Sequence, residues 1–164
     1  MQKQLTYLAL LMLIALLNAC GGGAQSTESR TIKAVIKPSA LAADLNVAGF
    51  NLTITVPVGV APPLKADGTA DSAATVEITS SAPHNQQLVN ATYIAATAAA
   101  NGKLTITGIE AAGFQPSDTI TIHLNIAAGS TPTTNDFSLF SFEAFDIFGA
   151  PVTGLTPTLT TAIY

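Results

Sequence analysis

The chain has 164 residues, with six Lys or Arg against ten Asp or Glu, a formal net charge of −4 and a single cysteine. That length suits one domain whose core needs neither a disulfide nor a metal, and a lone cysteine excludes an internal disulfide. A weakly acidic chain with no basic cluster excludes nucleic acid as a partner and electrostatic attachment to anionic lipid.

The amino end carries Lys3 and then an apolar run from Leu5 to Leu17 in which only Thr6 and Tyr7 are neither aliphatic nor methionine. Crossing the hydrocarbon core of a bilayer takes a helix of about 20 apolar residues, so this run is short for a span. A positive start, a short apolar centre and a small residue before a cut are the marks of a secretory signal. Here the cut falls after Leu17, Asn18 and Ala19 and before Cys20, and this spacing resembles the bacterial lipoprotein signal. The resemblance implies a signal peptide over residues 1–19 and a lipidated Cys20. An uncleaved membrane anchor is the competing reading. Lipidation gives the thiol several hydrocarbon chains, and two or more make anchoring stable where one is marginal. Residues 20–30, beginning Cys-Gly-Gly-Gly, read as the anchor and a flexible tether, and residues 31–164 as the folded domain. Gly21 rather than aspartate follows Cys20, which under the enteric sorting rule sends the protein to the outer membrane.

Beyond residue 30 the dominant pattern has period two, the signature of a half-buried strand. In AGFNLTITVP, Phe50, Leu52, Ile54 and Val56 share one face and Asn51, Thr53 and Thr55 the other. In TITIHLNI the inward set is Ile120, Ile122, Leu124 and Ile126, and the outward set is Thr119, Thr121, His123 and Asn125. TIKAVIK, ATVEITS, QLVNATYIA, GKLTITG, FSLFSFEAFD and LTPTLTTAI bring the expectation to eight strands. Gly, Pro, Asn and Asp clusters mark the turns between them, with Asn101-Gly102 the strongest hairpin signal. SALAADL and AATAAANG are each long enough for one helical turn. The expected fold is all-β: two antiparallel sheets in a β-sandwich, as an eight- to nine-stranded jelly roll. In FSLFSFEAFDIFGAPV, Phe140 and Phe142 are expected on one face and Phe137 and Phe145 on the other. This strand reads as central to the core, against the alternative of an exposed apolar patch at an interface.

Chemistry is sparse. The sequence has no nucleophile elbow, no zinc-protease motif and no phosphate-cradling glycine loop. His84 falls in a turn and His123 on a polar strand face, with no motif tying an acid or serine to either. DGTAD, from Asp67 to Asp71, offers the oxygens of a small calcium loop without the remaining ligands, and reads as a polar loop. Asn51-Leu52-Thr53 and Asn90-Ala91-Thr92 match the glycosylation acceptor, which a bacterial lipoprotein signal makes incidental. No catalytic residue, metal or cofactor is expected.

Three runs resemble the cohesin domains of bacterial surface assemblies and their carbohydrate-binding-module relatives: VAGFNLTITVP, GKLTITGIEAAGFQPSDTITIHLNIAAGS, and FSLFSFEAFDIFGAPVTGL with Asp146 and Gly149 in an Asp-x-x-Gly hairpin. The resemblance implies a nine-stranded jelly roll that binds without catalysis. The expected function is a lipid-anchored envelope module engaging an envelope or extracellular protein. Its candidate face is Asn51, Thr53, Thr55, Thr119, Thr121, His123 and Asn125, provided that the two strands are neighbours. The alternative is polysaccharide binding by the same fold. The chain has no tryptophan and a mature part with only Tyr93 and Tyr164, so a flat aromatic strip for crystalline polysaccharide is absent.

Overall fold

The computed structural model describes residues 30–38, 47–80, 87–115 and 118–164. They form nine strands: β1 Arg30–Pro38, β2 Val47–Val56, β3 Val60–Ala61, β4 Val76–Thr79, β5 Leu88–Ile94, β6 Gly102–Phe114, β7 Thr119–Ile126, β8 Ser138–Phe145 and β9 Pro157–Ile163. One turn of helix, α1 Ser72–Thr75, precedes β4, and a 3-10 turn, Thr134–Asp136, precedes β8. No helix among the described residues is long and apolar enough to cross a membrane.

Two antiparallel sheets result. Sheet A runs β3-β7-β1-β9, with β4 also paired to β7, and sheet B runs β5-β6-β2-β8. β1 occupies one edge of β7 over most of its length, so β3 and β4 share the other. Most successive strands change sheet; only β3 to β4 and β5 to β6 stay in the same one. The inward residues meet in one core. Ile32, Leu52, Ile54, Val56, Leu104, Ile106, Ile122 and Leu124 are fully shielded from solvent. This is the expected all-β sandwich, and the period-two inward sets of β2 and β7 form its centre.

Several local expectations change. Where Asn101-Gly102 signals the hairpin turn, the chain instead turns at Ala98 and Ala99, inside a bridge between Thr97 and Ala100. Gly102 has no positive φ and begins β6. A β-carbon there would meet the Ile94 carbonyl oxygen at 2.7 Å and the Ala96 nitrogen at 2.8 Å, so this glycine serves a close backbone approach. AATAAANG is therefore a hairpin loop without a helical turn. The helical turn lies at Ser72–Thr75, where the Asp71 carboxylate accepts from the Ala73 and Ala74 N–H groups as an N-cap. That cap shortens the expected strand ATVEITS to Val76–Thr79. SALAADL falls outside the described residues.

The phenylalanine-rich strand differs most. β8 is the edge of sheet B, paired only with β2, where the sequence reads as a central strand. Its register slips by one residue: Thr53 faces Ser141, but Ile54 faces Leu139. A β-bulge at this point inverts the alternation. Phe137 turns inward and is buried, while Phe140 turns outward and is 61% exposed. Phe142 stays inward, stacked 6.5 Å from Phe50. Beyond β8, the Asp146 carboxylate accepts from the Phe148 and Ala150 N–H groups, and Gly149 takes φ +78°, closing the expected hairpin.

Candidate binding surface

The condition attached to the polar face is not met. β2 lies inside sheet B and β7 inside sheet A, so Asn51, Thr53 and Thr55 look out from one side of the sandwich and Thr119, Thr121, His123 and Asn125 from the other. Sequence alternation assigns a residue to the outside but does not say which outside, and the frequent change of sheet separates the two strands. The seven residues form two half-sites on opposite faces.

The outer face of sheet B is built on four strands. Register aligns Asn90, Thr107, Asn51 and Glu143 in one row across its four strands, and Thr92, Thr105, Thr53 and Ser141 in the next. The short polar side chains tie the strands together. Thr107 Oγ1 donates to Asn51 Oδ1 at 2.8 Å, the Thr53 and Thr105 hydroxyls lie 3.0 Å apart, and those of Thr55 and Ser138 2.6 Å apart. Apolar residues frame this grid at both ends. At one end, Leu88 faces Ile109, Ile109 faces Gly49 and Gly49 faces Phe145. Gly49 leaves a gap in that row between Ile109 and Phe145. At the other end are Ile94, 65% exposed, and Phe140, whose ring carries the Lys103 ammonium 3.9 Å above its centroid. Sequence reasoning missed this frame. Its signal was Ile109 in KLTITGI, which shares the parity of Lys103, Thr105 and Thr107 and so stands among outward positions.

The outer face of sheet A is narrower in what it offers. Thr121 is buried, His123 and Thr119 are half-buried and Asn125 is exposed. His123 Nε2 lies 3.2 Å from a carboxylate oxygen of the exposed Glu77, so the pairing is a surface contact of little energetic weight. His84 and Cys20 lie outside the described residues.

The two carboxylates of DGTAD are engaged separately. Asp67 Oδ1 accepts from the Thr69 hydroxyl at 2.6 Å and the Thr69 N–H at 2.9 Å, and these bonds hold its carboxyl below the usual aspartate range. Asp71 caps α1. Among the described residues, no three His, Cys, Asp or Glu side chains come together to hold a metal ion. Two further acids, Glu110 and Asp118, are almost fully buried at the end of the sandwich away from Arg30. Glu110 Oε1 accepts from the Ala112 N–H at 3.1 Å within β6, and Asp118 Oδ2 accepts from the Gln115 N–H at 2.8 Å.

Compared with known proteins, the chain matches no family model, no curated protein and no solved structure.

Proposed function

We propose that this chain is a lipid-anchored, non-enzymatic binding module of the cell envelope, cohesin-like in kind, that engages a protein partner through the outer face of sheet B. The observation that carries this reading is the composition of that face, a polar grid framed by exposed Leu88, Ile109, Ile94 and Phe140. Protein interfaces combine such desolvatable side chains with polar groups in this way. The sandwich of nine strands is in keeping with the jelly roll that the cohesin resemblance implies. Lipidation at Cys20 places the domain at the membrane, and the residue after it favours the outer one.

Polysaccharide binding is the second reading, favoured by the density of hydroxyl and amide groups on the same face. Against it stands their pairing. Asn51, Thr53, Thr107 and Thr105 are already bonded to one another, and among the described residues the only rings on this face are Phe140 and Phe145. The deciding test uses the full chain with Thr105→Arg at the centre of this face, beside Thr160→Arg on the exposed outer face of sheet A. Each is assayed by crosslinking in the envelope and by a polysaccharide binding panel. A protein crosslink that Thr105→Arg removes and Thr160→Arg keeps supports the proposal. Polysaccharide binding lost in the same variant, with no crosslink, reverses the ranking. A crosslink indifferent to both variants refutes the face.

A further inference from the structure

Three connections come together at one end of the sandwich. The connections 57–64, 95–101 and 127–135 meet there and contain no Asp, Glu, Lys or Arg. They are drawn together by β2 and β7 ending side by side with the hairpin of β5 and β6. The Ala127 N–H donates to the Gly59 carbonyl at 2.7 Å, and the Tyr93 hydroxyl donates to the Val60 carbonyl at 2.8 Å. An open, mostly apolar cleft of about 550 Å³ lies among them, lined by Val60, Pro62, Leu64, Tyr93, Ala96 and Ile126. Beside it Val58 is 57% exposed and Ile94 more so, with a collar of exposed alanines. The opposite end carries acids, with Glu110, Asp118, Glu143 and Asp146 at or near it.

The same end receives the chain from its amino terminus. Arg30 begins β1 opposite Ile126, which is itself opposite Val60. Nine residues lie between Cys20 and Arg30, and the ten Cα-to-Cα steps this makes reach about 35 Å at most when fully extended. A lipid on Cys20 therefore confines this end, before any other, to the neighbourhood of the bilayer.

We infer that the end formed by 57–64, 95–101 and 127–135 is a membrane-contacting surface, seated on the headgroup and upper acyl region of the bilayer that anchors Cys20. This rests on the lipid-anchor reading and adds an orientation to it. The three connections carry no charged side chain and so lose no ion hydration on contact, and the Val, Leu, Ile and Tyr side chains beside them suit the boundary between headgroups and hydrocarbon. In this pose the strands rise from the membrane, and the hairpin bearing Ile147 and Phe148 points away from it.

The test exploits the absence of tryptophan from the chain. Full-length protein with Val58→Trp, Ile94→Trp or Phe148→Trp is processed in a lipoprotein-maturing host fed labelled palmitate. It is then placed in phosphatidylcholine vesicles with or without bromine-labelled acyl chains. Incorporation of palmitate reads the anchor, and quenching reads the surface. The expected result is a blue-shifted emission from the Val58→Trp and Ile94→Trp variants that bromolipid quenches. Emission from Phe148→Trp should stay as it is in buffer, and all three should be indifferent to salt. Palmitate incorporation with quenching in Phe148→Trp alone, or in none of the three, overturns the orientation and leaves the anchor standing. A blue shift in Val58→Trp without bromolipid quenching means a protein covers this end, a second copy included, and also overturns it. Without palmitate incorporation the anchor reading falls, and this inference with it.

Discussion

Gly108 and Gly49 provide a matched pair on adjacent strands, and replacing each by alanine tests the packing directly. Alanine restricts the unfolded chain and on that account stabilises by about 0.4–1 kcal/mol where the backbone tolerates it. Neither glycine has a positive φ, so the sign depends on what the new methyl meets. At Gly49 it would find only the Gly108 carbonyl oxygen, at 3.4 Å, an ordinary contact. At Gly108 it would run into the edge of the Phe50 ring. That ring cannot step aside: it is 3% exposed, edge-on to Phe114 at 5.0 Å and stacked on Phe142 at 6.5 Å. Overpacking of this kind costs about 1–3 kcal/mol, which outweighs the entropic gain. Gly108→Ala is therefore expected to lose about 0.5–2 kcal/mol and Gly49→Ala to gain up to about 1 kcal/mol. With a urea m-value of about 2 kcal/mol/M, the two midpoints separate by on the order of 1 M. Phe50→Leu makes room at the site, so Gly108→Ala should cost less in that background, a coupling of at least about 0.5 kcal/mol. Equal midpoints for the two glycine variants, or no coupling to Phe50, would refute the argument.

On β7, Ile122→Ala and Leu124→Ala should each cost about 2–5 kcal/mol, because both side chains are fully buried. His123→Ala between them should stay within about 1 kcal/mol, since it loses only an exposed pairing with Glu77; denaturation of the three variants decides it, and three equal losses would contradict the register. Cys20→Ser should leave an uncleaved precursor that takes up no labelled palmitate, and unchanged processing would end the lipoprotein reading. Asp67 has its folded pKa lowered from 3.8 by the Thr69 bonds, so the loop's contribution is present above that value and lost as pH falls through the lower folded pKa. Thr69→Ala should move the Asp67 titration up towards 3.8, read by NMR, and an unmoved titration would show that the bonds do not set it.

The inward residues of the sandwich were legible because alternation is a one-dimensional signal, and Leu52 to Val56 and Ile120 to Ile126 carried it without interruption. It failed where one residue is inserted. The bulge beside Phe140 exchanges the faces of everything before it, and nothing in FSLF announces the slip. Asn101-Gly102 misled because glycine has two uses, and here it admits the Ile94 and Ala96 backbone instead of a left-handed turn. The expected outward residues of β2 and β7 are outward except Thr121, which is buried. Their separation depends on which sheet each strand joins, a matter of pairing between distant segments that local pattern does not encode. Ile109, a large apolar residue among the outward positions of β6, was legible and overlooked.

The central place of β1 in sheet A has a consequence for how the molecule comes into being. Ile32 is paired on one edge with Leu124 and on the other with Ile163, so the first strand made waits for two of the last. At about 5–20 residues per second, β9 follows β1 from the ribosome after roughly 6–25 s. Sheet B draws its four strands from residues 47–145 and can close earlier. During that interval β1 exposes at least one open hydrogen-bonding edge beside an unfinished core, the condition in which strands pair with the wrong chain. A nascent chain truncated before Pro157 would therefore be a substrate for holding chaperones and proteases, and the last strand acts as the latch that ends its vulnerability.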